Sequence, residues 1–190
     1  MHSGHFRYHR INVVGTSGSG KSTFCRQLSE LLSIPHIEMD TFFWQPNWTK
    51  LDDEKFCSIL EEELKQESWI LDGGYSHLTS TKWANVECVI WLDYSFTRTL
   101  SQAVRRAFRR SITKEELWPG TGNRESFRRT FLSRESVILW TIQTWKKNRK
   151  KYEALMNDPE YEQIHFIRLR SRRESEAFLE SVLTGENKEN

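Results

Sequence analysis

The chain of 190 residues is poor in cysteine and proline, with 3 and 4 of them, and it contains no long apolar run. Each shortage excludes a class of protein. Cys25, Cys57 and Cys88 are scattered, odd in number and without C-x-x-C spacing, which argues for reduced thiols and against both a disulfide framework and a zinc site. No stretch approaches the roughly 20 apolar residues that a bilayer-crossing helix needs. Met1 to Arg10 is polar and His-rich, so no secretory signal is visible there. The expectation is a cytoplasmic protein with no membrane partner. There is no internal repeat, and the only low-complexity stretch is the polar tail Gly185 to Asn190, expected to fray.

Large apolar side chains, by contrast, are abundant, with 8 Trp and 11 Phe. That is too many for a disordered chain, and the length suits one α/β domain spanning 1–190 with a self-sufficient core. The net charge of +2 hides an uneven distribution. Arg98 to Lys151 holds 15 Lys or Arg against 4 Glu, a surplus of 11, which leaves the remainder of the chain at −9. Such polarity calls for an anionic partner or for local ion pairs.

Hydrophobic periodicity predicts strands alternating with helices. Arg10 to Val14 is a β-branched run ending at Gly15, and Phe24, Leu28, Leu31 and Leu32 recur at helical spacing over 21–32, closed by Pro35. Ile37 to Met39, Trp69 to Leu71, Val86 to Leu92 and Ile164 to Leu169 read as four more strands. A helix capped by Asp52 or Asp53 runs to about Gln66, and a short terminal helix covers 174–183. The pattern predicts a five-stranded parallel sheet between two helical layers. Residues 41–50, crowded with aromatics around a proline, read as a loop whose Phe42, Phe43, Trp44 and Trp48 belong to the core rather than to a stacking site. Trp140 and Trp145, with Val137, Ile138, Leu139 and Ile142, read as the packing face of a helix. Residues 112–130, with Trp118-Pro119-Gly120 and Gly122-Asn123 between basic helical stretches, read as a lid.

Gly15-Thr16-Ser17-Gly18-Ser19-Gly20-Lys21-Ser22 matches G-x-x-x-x-G-K-[ST] at every fixed position and lies between a predicted strand and a predicted helix. Glycines let successive N–H groups converge on phosphate oxygens, and the helix start adds its positive dipole end. Lys21 supplies a point charge for the β and γ phosphates, and the Ser22 hydroxyl is a hard ligand suited to magnesium. The expected cofactors are therefore ATP and Mg2+. The competing reading is a Gly/Ser turn that happens to precede Lys-Ser. Thr23 either adds a hydroxyl near the α phosphate or merely caps the helix.

Magnesium also needs a carboxylate at the end of a neighbouring strand. Asp40, Asp72 and Asp93 each follow a predicted strand, at the edge where parallel sheets build their sites. Asp40 is a candidate for orienting the acceptor or taking its proton, against the alternative of an Asp that opens a turn.

At these residues the chain resembles the nucleotide and small-molecule kinases of the adenylate kinase-like class. Leu71-Asp72-Gly73-Gly74-Tyr75 is similar to their strand-Asp-Gly element, and the resemblance places the magnesium-serving role on Asp72. It makes Asp93 structural, and it leads from the strand Val89 to Leu92 into a helix carrying Arg105 and Arg106 toward the lid. The position nine after Asp93, Gln102, departs from the class pattern, whereas Arg106 keeps it. The chain resembles still more the bacterial topology modulation proteins grouped with these kinases. The matching stretches are His36 to Asp40, Trp69 to Tyr75, Glu116 to Trp118, Gly122 to Arg129 and Leu169 to Ser171. The resemblance implies a P-loop fold with a helical, arginine-rich lid and an ATP-dependent transfer to a small acceptor that it does not identify.

Cations aimed at the transferring phosphoryl group supply much of the rate in such chemistry. Arg106, Arg124 and Arg128 are the candidates in the lid. Arg124 and Arg128, four apart, would share a face if both lie on a helix, and Arg170 after the last strand is a candidate contact to adenine. The bland reading is a solvated basic face paired locally with Glu115, Glu116 and Glu125. The rival functions are an ATP-dependent DNA- or RNA-binding factor using the basic segment, disfavoured because no nucleic-acid module is recognisable, and a plain ATPase.

Overall fold

In a computed structural model of the protein, residues 6–133 and 136–185 are described, with residues 129, 131 and 132 described by their backbone alone. The ten terminal residues and Arg134 and Glu135 lie outside that description, so the expected fraying of residues 186–190 does too.

Strand β1 (Arg10–Gly15) leads through the glycine-rich loop into helix α1 (Lys21–Leu32), and β2 (His36–Glu38) follows. Residues 41–50 are not a loop. They form a short helix α2 (Met39–Phe43) and a two-stranded antiparallel hairpin, β3 (Trp44–Gln45) and β4 (Thr49–Lys50), turning through Pro46–Trp48. Pro46 suits that turn because its fixed φ starts a helical turn without needing an N–H. Helix α3 (Asp53–Glu63) is capped by Asp52, whose side chain accepts from the Glu54 and Lys55 N–H groups. Then come β5 (Trp69–Asp72), α4 (Thr79–Trp83), β6 (Cys88–Leu92), α5 (Phe96–Thr113), α6 (Phe127–Leu132), α7 (Val137–Met156), β7 (His165–Leu169) and α8 (Arg172–Thr184).

The main sheet has the order β2-β5-β1-β6-β7, all parallel. Successive residues point to opposite faces, so the sheet serves two cores. Trp69, Leu71, Val89 and Trp91 join Phe43, Phe56, Leu60, Trp83 and Tyr152 on one face. Ile11, Val13, Ile70, Cys88 and Ile90 join Phe24, Cys25 and Leu28 of α1 and the half-buried Phe178 and Leu179 of α8 on the other. Both faces are covered, which explains the apolar runs read along the strands. This is the P-loop kinase fold, with the five-stranded parallel sheet and flanking helices expected.

Helix α7 departs from expectation. Its buried positions are Thr141, Thr144 and Tyr152, while Leu139, Trp140 and Ile142 are exposed. The buried threonines spend their hydroxyls on backbone carbonyls, Thr144 on Trp140 and Thr141 on Val137, whose bond shares the one Thr141 proton with the Ser17 carbonyl, so a polar residue sits in the interface without an orphaned donor. Trp145 packs edge-on against Phe96 and donates from its indole to the Tyr94 carbonyl. Among the described residues no helix is long and apolar enough to cross a membrane.

Lys82 of α4 is fully buried, and its ammonium donates to the Gly74 carbonyl. Burial pushes its pKa down from the usual value to about 7, with Lys151 as a lesser cause. The unfolded chain keeps the ordinary lysine pKa, so between about 7 and about 10.4 it binds more protons than the native state and stability rises with pH. The penalty is complete below about pH 7. Lys82→Met is therefore expected to stabilise the protein by about 2–4 kcal/mol at about pH 6, less the loss of one hydrogen bond, and by progressively less toward about pH 10. Urea unfolding of the two proteins across that range measures the difference, and a pH-independent difference would contradict the buried charge.

Candidate functional site

The parallel sheet brings the carboxyl ends of its strands to one edge, and the chemistry-bearing residues lie there. The phosphate loop leaves β1 and is braced from two sides. Gly18 lies against α5, where an added Cβ would come 2.8 Å from the Ala103 Cβ and 2.9 Å from the Thr99 carbonyl oxygen. Arg106 of α5 donates to the Ser17 hydroxyl at 3.2 Å. From α7, Thr141 donates to the Ser17 carbonyl at 3.2 Å and Asn148 to the Thr16 hydroxyl at 3.4 Å. Within the loop, Lys21 Nζ rests on the Thr16 carbonyl at 3.3 Å. Gly18 and Gly20 have φ of +85° and +94°, which only glycine adopts without strain. Ser22 is half-buried in the first turn of α1, and Thr23 faces solvent.

Opposite the loop stands a carboxylate group drawn from two strand ends. Asp72, buried at the end of β5, is in register with Val13 of β1 and Glu38 of β2. Asp40, in the first turn of α2, accepts a short hydrogen bond from the Tyr75 hydroxyl. Burial raises the Asp40 pKa, the Tyr75 bond opposes that, and Asp72 adds to the rise. Burial and the neighbouring Asp72 and Asp40 also raise Glu38. Mutual repulsion of this kind is what a divalent cation or the proton of a reacting hydroxyl relieves. The Asp72-Gly73-Gly74 turn is held by Asn12 of β1, whose amide donates to the Leu71 and Gly73 carbonyls while its oxygen accepts from the Trp83 indole. An added Cβ on Gly73 would collide with Met39 sulfur at 2.6 Å.

Beneath the same edge, the Cys25 thiol of α1, the His36 imidazole of β2 and the Asp72 carboxylate bring one ligand atom each to within 4.8 Å of one another. His36 Nε2 is 3.9 Å from an Asp72 oxygen and is a buried atom without a hydrogen-bond partner.

The remaining sequence candidates fall in different places. Arg106 is half-buried, and burial with the neighbouring Arg110 lowers its pKa. Arg124 and Arg128 do not share a helical face, because Arg124 lies before α6, bridged to Glu116, with its guanidinium on the Lys114 carbonyl at 2.8 Å. Turn chemistry at Gly120 and Gly122, both at positive φ, keeps that stretch out of the helix. Arg128 is exposed on α6, and the side chain of Arg129 lies outside the described residues. Arg170 is exposed at the end of β7. Asp93 is bound by two arginines, with Arg168 at 2.5 Å and Arg149 at 3.5 Å, and Arg168 lies 4.3 Å over the Trp91 ring.

The segment 114–126 docks on the aromatic hairpin. Trp118 stacks on Trp44 with centroids 5.6 Å apart, Trp48 meets both edge-on, and Asn123 uses its whole amide, accepting from the Trp48 N–H and donating to the Gln45 carbonyl. Asn123, Asn12 and Asn148 carried no sequence signal as site residues, since each acts through a partner more than 50 residues away.

Known proteins resemble this chain in sequence profile and in fold. The sequence profile described as AAA domain matches residues 11–126. A stretch of 65 residues is 35% identical to the uncharacterized protein YqaC of Bacillus subtilis (strain 168), covering 33% of this chain, and the chain spans 36% of the length of that relative. Among solved structures, shikimate kinase from Acinetobacter baumannii in complex with shikimate is similar with a TM-score of 0.58 at 16% identity, over 93% of this chain and 92% of that one. A gluconokinase from Sinorhizobium meliloti 1021 is similar with a TM-score of 0.50 at 16% identity, over 93% and 90%.

Gly18→Ala is expected to cost about 1–3 kcal/mol, because the new methyl group must push α5 off the loop at a strained φ. Gly122→Ala, at positive φ with nothing within 4 Å, meets only the backbone strain, about 1–2 kcal/mol. Thermal unfolding with and without nucleotide separates the two, since only the first is expected to weaken nucleotide binding as well.

Proposed function

This chain belongs to the AAA domain family, whose profile covers residues 11–126, and from that footing we propose that it is an ATP-dependent phosphotransferase acting on a small-molecule acceptor. The observation that carries the reading is the pairing, across one sheet edge, of a braced G-x-x-x-x-G-K-S loop with the half-buried Asp40 and the buried Asp72. The likeness in fold to two small-molecule kinases supports it.

In this reading the amides of Gly15 to Ser22 cradle the phosphates, Lys21 neutralises the β and γ oxygens, and Thr23 flanks the α phosphate. Ser22 and Asp72 offer hard oxygens that fit a magnesium ion, directly or through its waters, and the ion would offset charge on the phosphates. Arg106, already aimed at Ser17, faces the transferring group from α5. Asp40 orients the acceptor hydroxyl and takes its proton, with Tyr75 holding the carboxylate in place. Residues 112–130 serve as the lid, in which Arg124 and Arg128 must change partners or position to reach the phosphates. Arg170 takes the adenine side. The resemblance to topology modulation proteins belongs to this proposal, as do the single domain and the cytoplasmic setting. A second reading, an ATP-dependent nucleic-acid-binding factor, draws on the exposed Arg105, Arg109, Lys146, Lys147 and Lys150 of α5 and α7. A steep fall of duplex affinity with salt would favour it.

Acceptor-dependent ADP release, screened over nucleosides, nucleoside monophosphates, sugars and other hydroxyl compounds with Lys21→Ala as the blank, tests the reading. Release that is equal in Lys21→Ala would overturn it. With a working acceptor, Asp40→Asn is expected to lower turnover by about 10²-fold or more with ATP affinity nearly unchanged. Tyr75→Phe removes the bond that favours the Asp40 carboxylate, so the Asp40 pKa rises further and the acid limb of the pH–rate profile moves to higher pH.

A further inference from the structure

Two of the described features lie outside the proposed chemistry, the buried thiol of Cys25 and the partnerless Nε2 of His36, and both face Asp72. A thiol, an imidazole and a carboxylate are a donor set for a soft or borderline divalent ion rather than for magnesium. Around a tetrahedral zinc ion, ligand atoms at about 2.0–2.3 Å from the metal stand about 3.3–3.8 Å apart. The His36 to Asp72 separation of 3.9 Å is close to that, and all three ligand atoms lie within 4.8 Å of one another, so the ion has to draw them together by about 1 Å at most. A buried nitrogen without a partner is costly to keep, and a metal ion satisfies it.

We infer that Cys25 Sγ, His36 Nε2 and an Asp72 carboxylate oxygen form a binding site for one Zn2+ ion beneath the phosphate loop. The ion would leave a fourth position for water or another ligand. Binding replaces the S–H bond of Cys25 with an S–Zn bond, and the proton passes to solvent. Burial and the nearby Asp72 and Glu38 raise the pKa of the free thiol, with Lys21 opposing, while burial lowers that of the imidazole against the pull of Asp72. His36, with 17% of its side chain exposed, is the accessible side of the cluster. Because Asp72 is shared, zinc at this site withdraws the carboxylate assigned above to magnesium, so zinc acts as an inhibitor. That consequence rests on the phosphotransferase reading, and the site itself does not.

Cobalt(II) titration of the metal-stripped full chain tests the site without turnover. The expected result is one bound ion with a thiolate-to-cobalt charge-transfer band that survives excess Mg2+ and is abolished by added Zn2+. Cys25→Ser should lose the band, Cys57→Ser should keep it, and His36→Gln should weaken affinity by at least the ~10–100-fold typical of a lost outer partner. Absence of the band, or its survival in Cys25→Ser, overturns the inference. Should Cys25→Ser fail to fold, unchanged cobalt affinity in His36→Gln overturns it equally. Zinc inhibition of Mg2+-dependent ADP release is then expected in the parent and not in Cys25→Ser. A parent that releases no ADP even without zinc counts against the kinase reading, whereas the cobalt titration decides the site.

Discussion

Five parallel strands impose one constraint from which the site follows, namely that all their carboxyl ends emerge at a single edge. The phosphate loop leaves β1 there, Asp72 closes β5, Glu38 and Asp40 stand at the end of β2, and Arg170 follows β7. Because β1 lies between β5 and β6, the loop is flanked by Asp72 on one side and Asp93 on the other. The two aspartates have different fates. Asp93 is held by Arg168 and Arg149 and serves as an anchor between β6, β7 and α7, whereas among the described residues Asp72 has only the His36 imidazole, at 3.9 Å, as a basic neighbour within ion-pair distance.

The loop in turn depends on α5 and α7. Gly18 permits the backbone to touch α5, and Arg106, Thr141 and Asn148 fix Ser17 and Thr16. The basic residues of α5 are thereby split by the helix period, Arg106 and Arg110 turned inward and Arg105 and Arg109 outward to solvent. The surplus of positive charge in this part of the chain therefore has two destinations, and a count of arginines does not separate them.

Local features were legible in the sequence, and features built across long separations were not. The phosphate loop, α1 and the five main strands each rest on a short contiguous pattern, and their placement agrees with that pattern to within one or two residues. The hairpin of 44–50 was hidden because its strands are two residues long and their aromatics stack on Trp118, a partner 70 residues away. The apolar run of α7 points outward because the helix packs through Thr141 and Thr144, small residues whose hydroxyls reach backbone carbonyls of α7 and of the phosphate loop. The meeting of Cys25, His36 and Asp72 escaped a search by cysteine spacing, since only one cysteine takes part and the other two donors come from separate strands. The positions of Asp72 at the end of β5 and of Asp40 just after β2 were legible because strand ends are predictable. The true settings of Arg124 and Arg128 depend on where a turn ends and a helix begins.

The Asn123 amide ties segment 114–126 to the aromatic hairpin through both its donor and its acceptor, and three tryptophans seal the junction. Two stretches distant in the chain thus behave as one cassette. Any exchange of the hairpin has to carry both stretches together, for a hairpin transplanted without its matching asparagine and tryptophan would lose two hydrogen bonds to its backbone and the ring stacked on Trp44.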